Sequence, residues 1–133
     1  MDRKSSKLTA RKLLGHWQSD RKRTLEYWAF PRAASARSRK LFRSKDFFGK
    51  LRWHVTPTRL RHSYEGETKV APYRVLWSDQ YHIAIVIGKG RTASLRDIHF
   101  DGDDAFYILA GKANCEFFRR VRASRSAERT RAR

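Results

Sequence analysis

From Lys50 onward the chain alternates. Leu51, Trp53 and Val55 take turns with Arg52, His54 and Thr56, and after Pro57-Thr58 the pattern resumes with Leu60, His62 and Tyr64 set against Arg59, Arg61, Ser63 and Glu65. Successive side chains of a strand point to opposite faces, so this period of two describes strands with one dry and one wet face. If Pro57-Thr58 is the turn, Val55 faces Leu60, Trp53 faces His62 and Leu51 faces Tyr64, and the dry faces coincide as a fixed register requires. Proline suits the tight primed turns poorly, which leaves room for a longer loop. Further strand-like segments follow at 69–77, 81–87, 94–100, 105–110 and 115–121, with Gly, Asp and Asn between several of them, the residues that turns use. Counting the segment at Gly15-His16-Trp17 there are about eight, the number at which an antiparallel sheet commonly closes into a small barrel. The expected fold is mainly β, an up-and-down antiparallel barrel; an open sheet or a sandwich would use the same strands.

The stretch after the first strand breaks this rhythm. Ser19 and Asp20 are side chains that cap helices, Leu25 and Trp28 three apart give an apolar edge, and Pro31 ends the segment. A second helix is expected over 33–48, with Ala34, Leu41 and Phe48 on one side and Gly49 at its end. The chain thus reads as one barrel domain over 1–121 with a helical insertion at about 20–48. A length of 133 residues is enough to bury a core of that kind.

The net charge of +18 is unevenly distributed. Residues 1–46 carry 14 Lys or Arg against 4 acids, 47–121 carry 12 against 8, and 122–133 carry 5 against 1. Most of the excess therefore flanks the strand-rich body, and 122–133, without an apolar period, reads as a disordered basic tail. The single cysteine, Cys115, excludes an internal disulfide and suits a reducing compartment. The segment before Leu14 lacks the apolar run of a signal peptide, and no later one approaches the length of a membrane-crossing helix. A cytoplasmic protein without a transmembrane segment is expected.

A Gly-X-Trp opening at Gly15-His16-Trp17, a short helix, a meander of strands and an arginine on the last strand, Phe117-Phe118-Arg119-Arg120, resemble the lipocalin and calycin group of small barrels. The layout through Phe48-Gly49-Lys50-Leu51 is similar to bacterial lipocalin-like proteins. The resemblance covers roughly residues 12–121. It implies a barrel whose floor is Trp17 packed against Arg119 or Arg120. The chain departs from secreted lipocalins in lacking disulfides, and two helices between the first and second strands exceed the usual pattern.

Three classes of function follow from these residues. In a closed barrel the dry faces supply Trp53, His62, Tyr64, Tyr73, Val75 and Trp77, aromatic walls with a few polar handles, which is the lining a small, mostly hydrophobic ligand needs. Trp53, Tyr64, Tyr73 and Trp77 are then wall contacts and His62 a polar anchor; the same side chains would equally fill a solid core. The second class is electrostatic: Arg37, Arg39, Lys40 and Arg43 on the second helix and Arg52, Arg59 and Arg61 on the first hairpin, together with the basic tail 122–133, attract the phosphates of nucleic acid without reading sequence. Catalysis is the third, and the residues argue against it. Asp97 and His99 share a strand face but lie two residues apart, the aspartates at 101, 103 and 104 belong to a turn that needs polar residues anyway, and five histidines show no metal-ligand spacing. No cofactor, no metal site and no enzyme activity is expected.

Overall fold

The computed structural model describes residues 10–30, 33–43, 48–109 and 114–122. Its strands are β1 (Gly15–Ser19), β2 (Arg52–Val55), β3 (Arg59–Tyr64), β4 (Glu67–Ser78), β5 (His82–Ile87), β6 (Ser94–Phe100), β7 (Ala105–Leu109) and β8 (Cys115–Val121), and two helices, α1 (Arg21–Glu26) and α2 (Ala36–Arg43), lie between β1 and β2. Each strand pairs antiparallel with the next, and β8 returns to β1, so the sheet closes as the up-and-down barrel expected from the alternation. Closure leaves no edge strand to be covered. No helix among the described residues is long and apolar enough to cross a membrane. The expected tail beyond Arg122, residues 44–47 of the second expected helix and residues 110–113 lie outside the described residues.

The first hairpin has the register its hydrophobic pattern requires: Val55 opposes Leu60 and Trp53 opposes His62. The turn needs no extra residues. Thr56 donates its N–H to the carbonyl of Arg59 at 2.9 Å, while Arg59 N–H donates to the hydroxyl of Thr56 rather than to its carbonyl, at 3.2 Å. A side-chain acceptor lets Pro57 sit in a loop whose backbone is not one of the primed types.

Inward residues of all eight strands meet in one core. Leu13, Trp17, Val55, Leu60, Ile83, Ile85, Ile98, Phe106 and Phe118 are almost fully buried in it, with Trp53 and Phe100 close behind. At roughly 25 cal/mol per Å² of apolar surface, such side chains each contribute on the order of 2 kcal/mol, which is what holds a domain of this size.

The helical insertion departs from the amphipathic reading. Asp20 caps α1 by accepting from Arg23 N–H at 3.1 Å, as the sequence suggests. The helix is then fixed by Thr24, fully buried, whose hydroxyl accepts from Phe117 N–H of β8 at 2.9 Å. The second helix covers Ala36–Arg43 within the expected 33–48, and Leu41, expected on its dry side, is 58% exposed. Phe48 lies beyond the helix and is buried against Trp28, ring centroids 5.1 Å apart. The two apolar residues that the helical period joined are thus separated, because Phe48 is recruited by the residues following α1.

One strand carries an irregularity with consequences outside the barrel. The β4–β5 register shifts between Val75 and Trp77, so an extra residue is inserted at Leu76 and the inside-outside order reverses past it. Val75 opposes Ile85 on the inner face; Trp77 opposes Ala84 on the outer one.

Candidate functional site

In an up-and-down barrel the connections alternate between ends. The β2–β3, β4–β5 and β6–β7 turns share one end, which the chain enters through residues 10–14; the helical insertion and the β3–β4 and β5–β6 turns share the other. The two ends differ in chemistry.

The first end is closed. Arg120, inward on β8, lies with its guanidinium 4.3 Å from the centre of the Trp17 ring. It donates to the carbonyls of Leu14 at 2.8 Å, Lys12 at 2.7 Å and Asp103 at 3.0 Å and to the carboxylate of Asp104 at 3.1 Å. Trp17 in turn donates its indole N–H to the carbonyl of Leu13 at 2.8 Å. One guanidinium therefore straps the entering chain to the β6–β7 turn. Gly15 explains its place in the tripeptide: its φ is +119° and a Cβ there would stand 2.9 Å from an Arg120 nitrogen. Of the two arginines the family resemblance implied for this floor, Arg120 packs under Trp17, while Arg119 faces solvent and donates to Gln18 at 3.4 Å.

Above this floor the barrel is filled by rings. Phe106 packs against Trp17 at 4.6 Å, Phe118 at 4.9 Å and Trp53 at 5.6 Å, and Trp53 also meets Phe118 at 5.3 Å. Trp53, expected as a ligand wall, is part of this plug and only 4% exposed. Tyr73, another expected wall residue, belongs to the closed end: its hydroxyl donates to the carbonyl of Thr56 at 2.7 Å, and burial pushes its pKa up. With Val75 it borders a groove of about 210 Å³ at this end, against Ala10, Arg11, Leu14 and Pro57.

The opposite end is polar over an apolar base. Leu51, Ile87 and Ile108 pack on the core but keep part of their surface accessible. His62 and Tyr64 share the inner face of β3 with Leu60; their partners on β4 are Lys69 and Glu67, and Arg96 lies on the inner face of β6 with Ile98 and Phe100. Tyr64 is 42% exposed, at the rim rather than on an enclosed wall. Partial burial, with the charges of Lys69 and Arg96 nearby, holds the His62 imidazole below its ordinary value. Among the described residues neither Lys69 nor Arg96 forms an ion pair. Glu116, inward on β8 beside Phe118, accepts from the hydroxyl of Ser19 at 2.7 Å; burial pushes this carboxyl up, and the Ser19 hydrogen bond partly opposes the shift. Lys69, Arg96 and Glu116 did not stand out in the sequence, yet alternation counted from Tyr73, Ile98 and Phe118 assigns each of them to the inner face.

Trp77 is the clear correction among the expected wall residues. The bulge turns it outward, 45% exposed, where it starts a ladder of rings across the outside of the barrel. Its ring meets His82 edge-on at 4.9 Å, His82 stacks on His99 at 4.2 Å, His99 on Tyr107 at 4.9 Å, and Tyr107 packs against Phe117 at 5.4 Å, which lies under the guanidinium of Arg23. Cross-strand ring pairs of this kind stabilise a sheet. Asp97 does not pair with His99 two residues along its own strand; it reaches His82 across the sheet at 3.2 Å. Burial and the neighbouring His82 lower the His99 pKa, with Asp97 and Asp79 opposing.

The basic residues fall into two groups. Arg37 and Lys40 are exposed on α2 beside an open groove of about 410 Å³, and the guanidinium of Arg39 lies 5.6 Å from the Phe30 ring; the side chain of Arg43 is outside the described residues. Arg52, Arg59 and Arg61 are exposed on the outer face of β2 and β3. The turn aspartates serve as partners of cations: Asp101 pairs with Arg23, Asp103 with Lys12 and Asp104 with Arg120. No group of three or more His, Cys, Asp or Glu with metal-holding geometry occurs among the described residues. Comparison with protein-family models, with curated proteins and with solved structures finds no match for this chain.

Proposed function

We propose that the protein binds a small, mostly hydrophobic molecule at the open end of its barrel, non-covalently and without transforming it. The observation that carries this reading is the juxtaposition at that end of half-buried Leu51, Ile87 and Ile108 with the polar side chains of His62 and Tyr64. Small-ligand sites combine apolar area for affinity with a few placed polar groups for orientation, and the mouths of β-barrels are among their usual locations. The aromatic plug limits the depth available, so the ligand rests on Leu51, Ile87 and Ile108, above the buried rings of Trp53 and Phe106, instead of threading the barrel. The lipocalin-like layout of Trp17 and Arg120 supports the same reading, since such barrels keep one end shut and use the other. Of the five expected contacts, His62 and Tyr64 remain in the proposal; Trp53 lies beneath the site in the plug, and Tyr73 and Trp77 leave it.

Native mass spectrometry of the protein purified from its own host tests the proposal. A discrete non-covalent adduct, lost on unfolding and weakened in His62→Ala while the unfolding midpoint holds, is the expected result. A clean apo mass for the wild type would overturn it and leave a barrel with a filled core.

A further inference from the structure

We propose a second binding surface: the outer wall made by β8, β1, β2 and β3 takes the phosphate backbone of nucleic acid. Register supplies the first argument. Arg119 opposes Gln18 and Gln18 opposes Arg52, so these three form one row across β8, β1 and β2 on the outside; Arg61 stands beside His54 in the adjacent row, and Arg59 follows on the same face of β3. All four arginines are exposed. At about 4.8 Å per strand, the wall from β8 to β3 spans about 14 Å, enough for a few phosphates.

The second argument is the absence of opposing charge. No outward position of β1, β2, β3 or β8 is a carboxylate, although the chain has 13 acids. Those near the wall are engaged: Asp20 caps α1 and Glu65 pairs with Lys50 at 3.0 Å. A groove of about 400 Å³ extends the row past Arg119 and brings in Arg21 and Lys22 beside the capping Asp20 and the Lys50–Glu65 pair. The opposite outer wall is different, with Asp97 on β6 and the ring ladder from Trp77 to Tyr107.

The kind of recognition also follows. The rings in the basic wall, His16 and His54, stack on each other at 4.0 Å with planes 9° apart, and Phe117 is covered by Arg23. With one face of each of these rings taken by a neighbour, base stacking is limited, so the wall engages phosphates in the main and reads little base sequence.

Fluorescence anisotropy with labelled oligothymidylate and oligodeoxyadenylate, over a salt series and with the full-length chain, tests this. Two triple variants are compared: R52Q/R61Q/R119Q on the proposed wall, and the control R74Q/K89Q/R91Q, which removes the same charge from β4 and the β5–β6 turn, outside the wall. Wild type should bind both oligonucleotides alike, with affinity falling linearly in log salt. The wall variant should bind more weakly, with a slope shallower by about 2, the value for three lost contacts to a single strand. The control variant should keep the wild-type slope. Equal losses in both variants would reduce the effect to net charge and overturn the proposal. So would an unchanged slope in the wall variant, a strong preference for one base, or binding to phosphatidylserine vesicles without binding to either oligonucleotide. Circular dichroism of each variant separates lost contacts from lost fold.

Discussion

Two inward arginines, one at each end of the barrel, do opposite things. Arg120 is engaged on all three nitrogens: carbonyls of Lys12, Leu14 and Asp103 and the carboxylate of Asp104 accept from them, and the ring of Trp17 covers its face. Arg96 donates within the described residues to the carbonyl of its own neighbour, Leu95, at 3.0 Å, and shares its space with Lys69 and with His62, whose pKa is lowered by burial and then by these two cations. A guanidinium has five donors in a fixed fork. Where the protein meets that requirement itself, the residue is a strut; where it leaves donors to solvent, the residue is available to something else.

Substituting the two arginines is the sharpest way to break the comparison. Arg120→Leu strands three backbone carbonyls and unpins the entering chain, so a loss of about 2–4 kcal/mol is expected. Arg96→Leu, on an exposed side chain without such partners, should stay within about 0.5 kcal/mol. Urea unfolding read by tryptophan fluorescence measures both. Comparable losses would mean that the open end is as structural as the closed one. Gly15→Ala approaches the same strut from the other side: with φ at +119° and an Arg120 nitrogen 2.9 Å from the added carbon, it should cost about 1–3 kcal/mol, while His16→Ala next to it should not reproduce that loss.

The closed end was half legible in the sequence, and the half that was missing is instructive. Gly15, Trp17 and the Arg119-Arg120 pair could be picked out, and alternation from Phe118 decides between the arginines, since Phe118 is fully buried and Arg120 lies two residues on. Most partners of Arg120 could not be read, because those at Lys12 and Leu14 are backbone carbonyls about a hundred residues away in the chain and the one at Asp103 is a carbonyl too, without a side-chain signature; only the Asp104 carboxylate has one. Pattern failed in a different way at Trp77. Alternation extrapolated from Tyr73 sends it inward, and a single extra residue at Leu76 reverses it; bulges obey local twist and leave no fixed mark in composition. At the open end the alternation itself holds the signal. Lys69, Arg96 and Glu116 occupy inner positions that a wholly dry interior would fill with apolar residues; Lys69 and Arg96 are exposed there, while Glu116 is kept by its hydrogen bond to Ser19.

A smaller effect is expected from Glu116. Its pKa is raised in the folded protein, so its contribution to stability is fully present below the ordinary carboxyl value of 4.5 and is lost as pH rises through the folded value, where a charged carboxylate must remain buried. Glu116→Gln keeps an acceptor for the Ser19 hydroxyl and removes the charge. The variant should gain up to about 1 kcal/mol at neutral pH and lose that advantage in acid. Unfolding midpoints measured across the acid range check the sign; a variant less stable than wild type at neutral pH would mean that the ionised carboxylate has a favourable partner.

His62 gives the finest test of the open end, because it reports on its neighbours without a large change in stability. Its imidazole is held below 6.5 by partial burial first, then by Lys69 and Arg96. The stability linked to it is therefore present above 6.5 and is lost as pH falls through the folded value, opposite in direction to Glu116. A proton NMR titration should give His62 a midpoint below 6.5 in the wild type, an upward move in Lys69→Gln and a smaller one in Arg96→Gln, following the order in which the two charges act. Raising salt should shrink both differences, since the mouth is open enough for counterions to enter. If neither substitution moves the midpoint, burial alone depresses His62 and the two cations do not converge on it. The open end would then be an ordinary solvated rim, and Arg96 would differ from Arg120 only in having fewer partners.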